Sequence, residues 1–481
     1  MPERVLTSAF VPLSYGADKG LFLAKENKIS LISDDLFNEV SKISNRPDHS
    51  EDYLLSIMTP SLIDTLFFDT SEVIHNLHSK PHIPRDCYHV TIELTKKCNL
   101  RCRYCFSSHL DNTIDNCDFD SNNISQMTDY LVRIAGSRHV SMSFYGGEPL
   151  LNYNIINNIL NDAKIKGMKL SSVSLTTNLT ILNEDVISIL IKHNIKLLVS
   201  LDGYAEIHDL NRLFMTGKGS HAIVVRNLRK LMNSGFNKDN LNINCVVSPF
   251  TDLSKLIDYI STELSSLIDG DVFSKIGFSF ICENNSSKRY IDTVPQECRL
   301  PTSLDYEAII NALDIFNVYA NIIKTPEQLF VRNIWKKRID KVLIMLFGQI
   351  DNYDISVNLC YPGDTQCYVS TEGKVYTCNF LCNQDELQIG TLEQGLIEPY
   401  CENLFLASQR LLEQCHFCWN KLFCSPCLAR MYDYGRNSID KDYFIRNHCV
   451  GEKELSSVIL NSVFKLVRTR YDQIPQILSN I

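Results

Sequence analysis

The chain is 481 residues long with 44% hydrophobic and 21% charged residues, enough for two or three domains that each bury a core. Its formal net charge of -9 argues against a nucleic-acid partner, because no basic excess is available to displace phosphate counterions. No apolar core follows Met1 and no run of about 18 apolar residues occurs, so a cytoplasmic, soluble protein with no membrane partner is expected. In that compartment the 18 cysteines do not read as a disulfide framework. Metal or cluster ligation explains those that cluster.

Taken in chain order, residues 1–84 read as short strands at Phe10–Tyr15, Leu21–Lys25 and Lys28–Ile32. Helical patterns follow near Asp34–Ser44, Glu51–Met58 and Ser61–Phe68, and the segment ends at the Pro81–Pro84 turn. A hairpin followed by three short helices is a small α+β module that resembles a winged helix. Residues 85–303 alternate strands and helices. Apolar β-rich runs lie at His89–Leu94, Val140–Phe144, Val173–Thr176, Lys196–Leu201, Leu241–Ser248 and Ile276–Cys282. Helical patterns separate them near Asn122–Ile134, Tyr153–Lys166, Asn183–His193, His221–Asn233 and Asp252–Leu264. This alternation predicts a parallel sheet covered by helices, here an open partial (β/α)6 barrel of the α/β class. Chemistry in such barrels sits at the C-terminal ends of the strands. Residues 304–350 read as a helical linker, and residues 351–481 as a cysteine-dense region closed by an amphipathic helix at Glu452–Arg470.

The run TKKCNLRCRYCF directly follows the first barrel strand and spaces Cys98, Cys102 and Cys105 as C-x3-C-x2-C. Three thiolates in one tight loop can hold three irons of a cubane [4Fe-4S] cluster, leaving the fourth iron open to a small molecule. A closed structural zinc site would supply four ligands instead. Tyr104 sets an aromatic face beside the last cysteine. With that aromatic residue, the motif closely resembles the signature of the radical S-adenosylmethionine (radical SAM) enzymes.

Three further strand ends carry polar motifs. Tyr145-Gly146-Gly147-Glu148-Pro149 follows the second strand; the glycines let backbone approach a ligand, and Glu148 offers a carboxylate to a cationic amine. It resembles the family motif that holds the methionyl amino group. Thr176-Thr177-Asn178 ends the third strand, and Asn178 is placed for ribose hydroxyls. The stretch SLDGYAEIHDLNRL at the fourth strand resembles the segment from which a Ser and an Arg reach the methionyl carboxylate, which points to Ser200 and Arg212. The resemblance implies that S-adenosylmethionine chelates the open iron. An external flavodoxin- or ferredoxin-like donor would then deliver the electron that cleaves it to a 5'-deoxyadenosyl radical.

Cys360 precedes Gly373 and G-x4-C at Cys378; C-x2-C-x5-C-x2-C follows at Cys415, Cys418, Cys424 and Cys427, then Cys449. This resembles the seven-cysteine SPASM domain, with the last spacing one residue short of the family's x3. Zinc ribbons are the alternative reading of paired C-x2-C motifs. The resemblance implies two auxiliary [4Fe-4S] clusters, one on Cys360, Cys367, Cys378 and Cys427, the other on Cys415, Cys418, Cys424 and Cys449. Cys382 and Cys401 remain as spare ligands or substrate contacts.

SPASM enzymes mostly modify peptides or proteins. Sulfatase-maturing members carry an Asp after the Cys of G-x4-C, where this chain has Asn379, which cannot act as a base. A maturase that crosslinks a ribosomally made precursor peptide, through a thioether or carbon-carbon bond, is therefore expected. Oxidation of a sulfatase-type Ser or Cys is the alternative, and a zinc-binding regulatory scaffold is the alternative of another class. In peptide-modifying radical enzymes a module like residues 1–84 grips the precursor's leader by strand addition; an extension that merely packs on the barrel is the other reading.

Overall fold

A computed structural model describes residues 5–43, 49–50, 54, 56–69, 86–105, 117–248, 250–268, 272–280, 326–347, 360–382, 384–412, 415, 417–424, 426–433 and 435–478. By contacts the chain forms two compact units that are interleaved in sequence. One comprises Met1–Lys80, Asp305–Leu359 and Leu406–Ile481; the other comprises Pro81–Leu304 and Cys360–Phe405.

The first unit begins with β1 (Val5–Ser8), β2 (Phe10–Tyr15), β3 (Asp18–Leu23) and β4 (Lys28–Leu31). Strands β2, β3 and β4 form an antiparallel sheet in that order. Helix α1 (Asp34–Ile43) follows, with Asp34 and Asp35 in its first turn and Lys42 in its last, the charge order that the helix dipole favours. Strand β5 (His49–Ser50), helix α2 (Pro60–Leu66) and β6 (Phe67–Asp69) complete this part. Thr59 caps α2 by accepting from the Leu62 amide, and Pro60 starts it where no amide hydrogen is needed. Strands β5 and β6 flank β1 in a second small sheet. Phe10, Leu21, Val40, Ile63 and Phe67 make the core beneath. The expected helix near Glu51–Met58 and the Pro81–Pro84 turn fall largely outside the described residues.

The second unit is built on the predicted alternation. Strand β7 (Cys87–Thr95) leads to the cysteine loop, which contains the short strand β8 (Leu100–Cys102). Then come α3 (Ile124–Ala135), β9 (His139–Gly146), α4 (Asn154–Ile165), β10 (Leu170–Thr177), α5 (Glu184–Lys192) and β11 (Lys196–Ser200). Helix α6 (Ala205–Asn211), strand β12 (Arg212–Phe214), α7 (His221–Met232), β13 (Leu241–Val247), α8 (Leu253–Tyr259) and β14 (Ile276–Phe280) follow. The six long strands pair in parallel in the order β14-β13-β11-β10-β9-β7. On β7, Tyr88, Val90, Ile92 and Leu94 are at most 1% exposed, the alternation expected of a strand whose one face packs under helices. The end of the expected strand at Cys282, and Cys298, lie outside the described residues.

In the expected linker, the described part is helix α9 (Pro326–Phe347), which belongs to the first unit. The sheet itself does not stop at β7. Strand β15 (Gln366–Val369) adds to its free edge in parallel, with Cys367 opposite Val90. Antiparallel β16 (Lys374–Tyr376), β17 (Gln388–Thr391) and β18 (Gly395–Leu396) extend it to ten strands. Part of the cysteine-dense region thus shares one sheet with the barrel, because an unpaired strand edge is satisfied by another strand. Helix α10 (Glu398–Leu412), a turn of helix α11 at Leu428–Met431, and the closing helix α12 (Val450–Arg470) follow.

Candidate active site

The cysteine loop sits at the C-terminal end of β7, and it is pinned by backbone before any ligand arrives. Gly147 donates to the Thr95 carbonyl and Glu148 to the Lys97 carbonyl, each at 2.8 Å. A Cβ on Gly146 would lie 2.3 Å from the Thr95 oxygen, and one on Gly147 would lie 2.2 Å from the Lys97 oxygen. Gly146 also has φ +142°, which favours glycine. The sequence assigns these glycines to ligand approach; the structure shows them required first by the close approach of the loop's own backbone.

Cys98, Cys102 and Cys105 are each half-buried; the Cys98 thiol feels both of the others electrostatically, and the Cys102 thiol feels Cys105. Burial pushes the Cys98 and Cys102 thiols up to about 12, with the nearby Cys105 adding to it. Cys98 and Cys102 are therefore thiols at neutral pH, and a metal bound there would displace their protons.

Glu148 is 1% exposed and its carboxyl is pushed up to about 7 by burial. Its Oε1 accepts from Thr177 Oγ1 at 2.7 Å and the Leu150 amide at 3.1 Å; its Oε2 accepts from the Asn178 amide at 2.7 Å. Three of about four lone-pair directions are thus taken by the protein, tying the ends of β9 and β10 together. Asn178 donates to Asn99 Oδ1 at 3.0 Å, which links the third strand end to the cysteine loop. Ser200 ends β11 and is 9% exposed.

Tyr104 and Arg212 meet as well, around Asp202, a residue inside the fourth-strand motif to which the sequence attaches no role. Asp202, buried at 0% exposure, accepts from the Tyr104 hydroxyl and lies 3.0 Å from Arg212 Nε. Arg212 Nη1 is 3.9 Å from Cys102 Sγ, and the guanidinium lies over the Tyr104 ring at 5.3 Å. Burial opposes the Arg212 charge, but the Asp202 carboxylate outweighs it and holds the proton firmly.

A second unassigned group faces the same end of the sheet. Glu93 pairs in register with Tyr145, and Tyr368 with Thr91, so alternation puts Glu93, Tyr145 and Tyr368 on one face. Glu93 is 1% exposed, accepts from the Thr371 amide at 3.2 Å, and is hydrogen-bonded to Tyr368. Burial raises its carboxyl pKa. Tyr368 also bonds the Cys382 thiol, and Tyr145 bonds Asn379.

The auxiliary cysteines separate into groups. Cys378 and Cys382 are electrostatic neighbours, and Cys382 Sγ reaches the Asn379 carbonyl at 3.1 Å. Cys367 is not with them. It is 2% exposed, and its thiol is hydrogen-bonded to Tyr88 and Tyr130 on the helix-covered side of the sheet. The expectation that Cys367 joins Cys378 as a ligand is corrected on that ground: strand alternation turns it toward α3. Cys401 is likewise buried in the core at 0% exposure, and Cys360 is exposed. In the first unit, Cys415, Cys418, Cys424 and Cys449 line one cavity with Lys421 and Lys453. Burial pushes Cys424 up to about 12 and Cys449 up to about 11. Cys427 is exposed, just before α11.

Residues 92–260 match the sequence profile of the Radical SAM superfamily, the segment that carries the cysteine loop and the first four strand ends. The chain therefore contains a radical SAM domain, and it is an enzyme of radical SAM chemistry, which implies a [4Fe-4S] cluster and S-adenosylmethionine. It is 28% identical over 312 residues to a cysteine-type anaerobic sulfatase-maturating enzyme of Clostridium novyi, covering 62% of this chain and 75% of that one. It is 24% identical over 277 residues to the radical SAM cyclopropyl synthase TigE of Paramaledivibacter caminithermalis, covering 52% and 54% of the two chains. Among solved structures, native anSMEcpe with bound AdoMet has the same fold at TM-score 0.55 and 19% identity, over 80% of this chain and 99% of that one.

Proposed function

We propose that this protein is a radical SAM maturase that abstracts hydrogen from a residue of a ribosomally made peptide or protein and so crosslinks it. The observation that carries the reading is the loop of Cys98, Cys102 and Cys105, locked to the glycines of β9. When bound, the cluster and S-adenosylmethionine supply a 5'-deoxyadenosyl radical that takes a hydrogen from an unreactive carbon. The chain's own residues bind and orient: the remaining lone pair of Glu148 meets the methionyl amine, Ser200 the carboxylate, and Asn178 the ribose. The peptide class is supported by the sulfatase-maturating relative, whose alignment of 312 residues runs well beyond the segment matched by the radical SAM profile. Asn379 after Cys378 speaks for bond formation over the sulfatase-type oxidation.

Two auxiliary [4Fe-4S] clusters belong to the proposal. Cys360, Cys378 and Cys382 contribute to one, and Cys415, Cys418, Cys424 and Cys449 hold the other. For the N-terminal part, the order β2-β3-β4 leaves β4 as an edge strand, with Leu31 58% exposed, suited to strand addition by a leader peptide. A flavodoxin- or ferredoxin-like protein serves as donor. Anaerobic reconstitution tests the cluster content: about 12 irons per chain and reductive cleavage of S-adenosylmethionine support it. Bound zinc without cleavage sinks it. Co-expression with short open reading frames encoded beside the gene tests the substrate, a crosslink appearing as the loss of two hydrogens.

A further inference from the structure

Among the described residues, Glu93, Glu148 and Asp202 are buried carboxyls at the C-terminal ends of the barrel strands. Two of them are already committed. Glu148 accepts three hydrogen bonds that tie β9 to β10, and Asp202 is paired with Arg212. Glu93 differs from both. Its Oε2 accepts from the Thr371 amide at 3.2 Å, and its carboxyl is bonded to Tyr368, which leaves about half of its lone-pair directions unused. The cation nearby, Lys96, forms its ion pair with Glu372 instead. Burial raises the Glu93 carboxyl pKa, the direction that suits a proton acceptor. A buried carboxylate with so few bonds is costly to keep for structure alone.

The position of Glu93 matches that chemistry. It shares one face of the sheet with Tyr145 and Tyr368. Tyr145 feels Cys105 and Arg212 electrostatically and bonds Asn379, and Tyr368 feels Tyr145. A line of neighbours therefore runs from the cysteine loop to Glu93 at the strand ends, where barrels of this kind do their chemistry. At 1% exposure Glu93 is shielded from bulk water, so a proton it takes comes from a group docked against this face.

We propose that Glu93 is the proton acceptor of the bond-forming step on the peptide, held for that task by Thr371 and Tyr368. Abstraction of a hydrogen atom leaves a carbon radical on the substrate. When a second substrate group, X–H, bonds to that carbon, the X–H bond breaks and a C–X bond forms. The proton passes to the Glu93 carboxylate. One electron is left over and reduces an oxidised iron–sulfur cluster by one electron. The two hydrogens lost from the peptide thus leave by different routes, one as an atom and one as a proton.

The inference rests on the maturase reading. Its test gives the reconstituted full-length enzyme the neighbouring-gene peptide that it lightens by two hydrogens, deuterated on carbon. Deuterium transfer into 5'-deoxyadenosine reports abstraction, crosslinked peptide reports bond formation, and fluorescence anisotropy reports peptide binding. In E93Q the amide oxygen still accepts from Thr371 and Tyr368. Crosslinking is expected to fall on the order of 100-fold or more, with deuterium transfer and peptide affinity each changed less than about tenfold. Undiminished crosslinking overturns the proposal. So does an equal fall in deuterium transfer, or a loss of peptide affinity well beyond tenfold, which would make Glu93 a substrate anchor. Where E93Q fails to bind iron, E93D is read instead. Its carboxylate is set back by one methylene, so crosslinking must fall relative to deuterium transfer, and an unchanged ratio overturns the inference. A wild-type protein that alters none of the neighbouring peptides refutes the maturase reading, a result distinct from these.

Discussion

Gly147 shows how tightly the site is specified at the level of single atoms. Any side chain there would press on the Lys97 carbonyl from 2.2 Å, and the obstacle is backbone, not a flexible side chain. G147A is expected to displace the cysteine loop, so that iron bound by the loop and cleavage of S-adenosylmethionine are lost together; full iron content in G147A would contradict this. Glu148 gives a pH signature. Its carboxyl is raised to about 7 by burial, and only the ionised form attracts an ammonium group. Affinity for S-adenosylmethionine should therefore rise as pH increases through about 7, and that dependence should vanish in E148Q, as read by equilibrium binding. The residue types at these positions are legible in the sequence because each is tied to a short motif. Asp202 and Glu93 do not stand out there, since their importance comes from partners distant in the chain or on a neighbouring strand: Tyr104 for the one, Tyr368 for the other.

Elements carry a different lesson. The six barrel strands fall where apolar, β-rich runs predict, because the face that packs under helices puts a buried apolar residue at alternate positions within each short stretch, as in β9 and β10. Strand β15 escapes a sequence reading for the opposite reason. It is four residues long, and what makes it a strand is the free edge of β7. That edge also decides the role of Cys367. C367A is expected to leave iron content unchanged while lowering thermal stability, whereas C378A should lose iron; loss of iron in C367A would restore it as a ligand. In the first unit, α9 and α12 are joined by Arg338, whose two terminal nitrogens each donate to Glu452 at 2.7 Å. Burial raises the Glu452 carboxyl, but the Arg338 bonds outweigh it and lower the pKa below its usual value. Stability from this pair is present above the ordinary carboxylate range and fades as pH falls through the lowered value. R338A should cost about 1–3 kcal/mol in denaturant unfolding at neutral pH, and the difference should shrink in acid.

At the scale of the molecule, the first unit joins the N-terminus to the C-terminal cysteines. The Ser14 amide donates to Asn461 at 3.0 Å, and the Phe22 ring packs on Phe423 at 5.4 Å, one residue from Cys424. Removal of residues 1–86 should therefore do more than delete the proposed leader-binding segment. It should strip iron from the Cys415, Cys418, Cys424 and Cys449 group, measured as iron per chain, while leaving the matched radical SAM segment intact. Among the described residues no helix is long and apolar enough to cross a membrane. The sequence alone determined the parallel α/β alternation, the loop of Cys98, Cys102 and Cys105, and the motifs at four strand ends, because all of these are local patterns of spacing and hydrophobicity. Tertiary structure alone decided which cysteines meet, that the sheet continues past β7, and that Arg212 leans on Asp202 and Cys102. Those depend on which face of a strand turns inward and on which edge remains unpaired, and neither is written in any short stretch of chain.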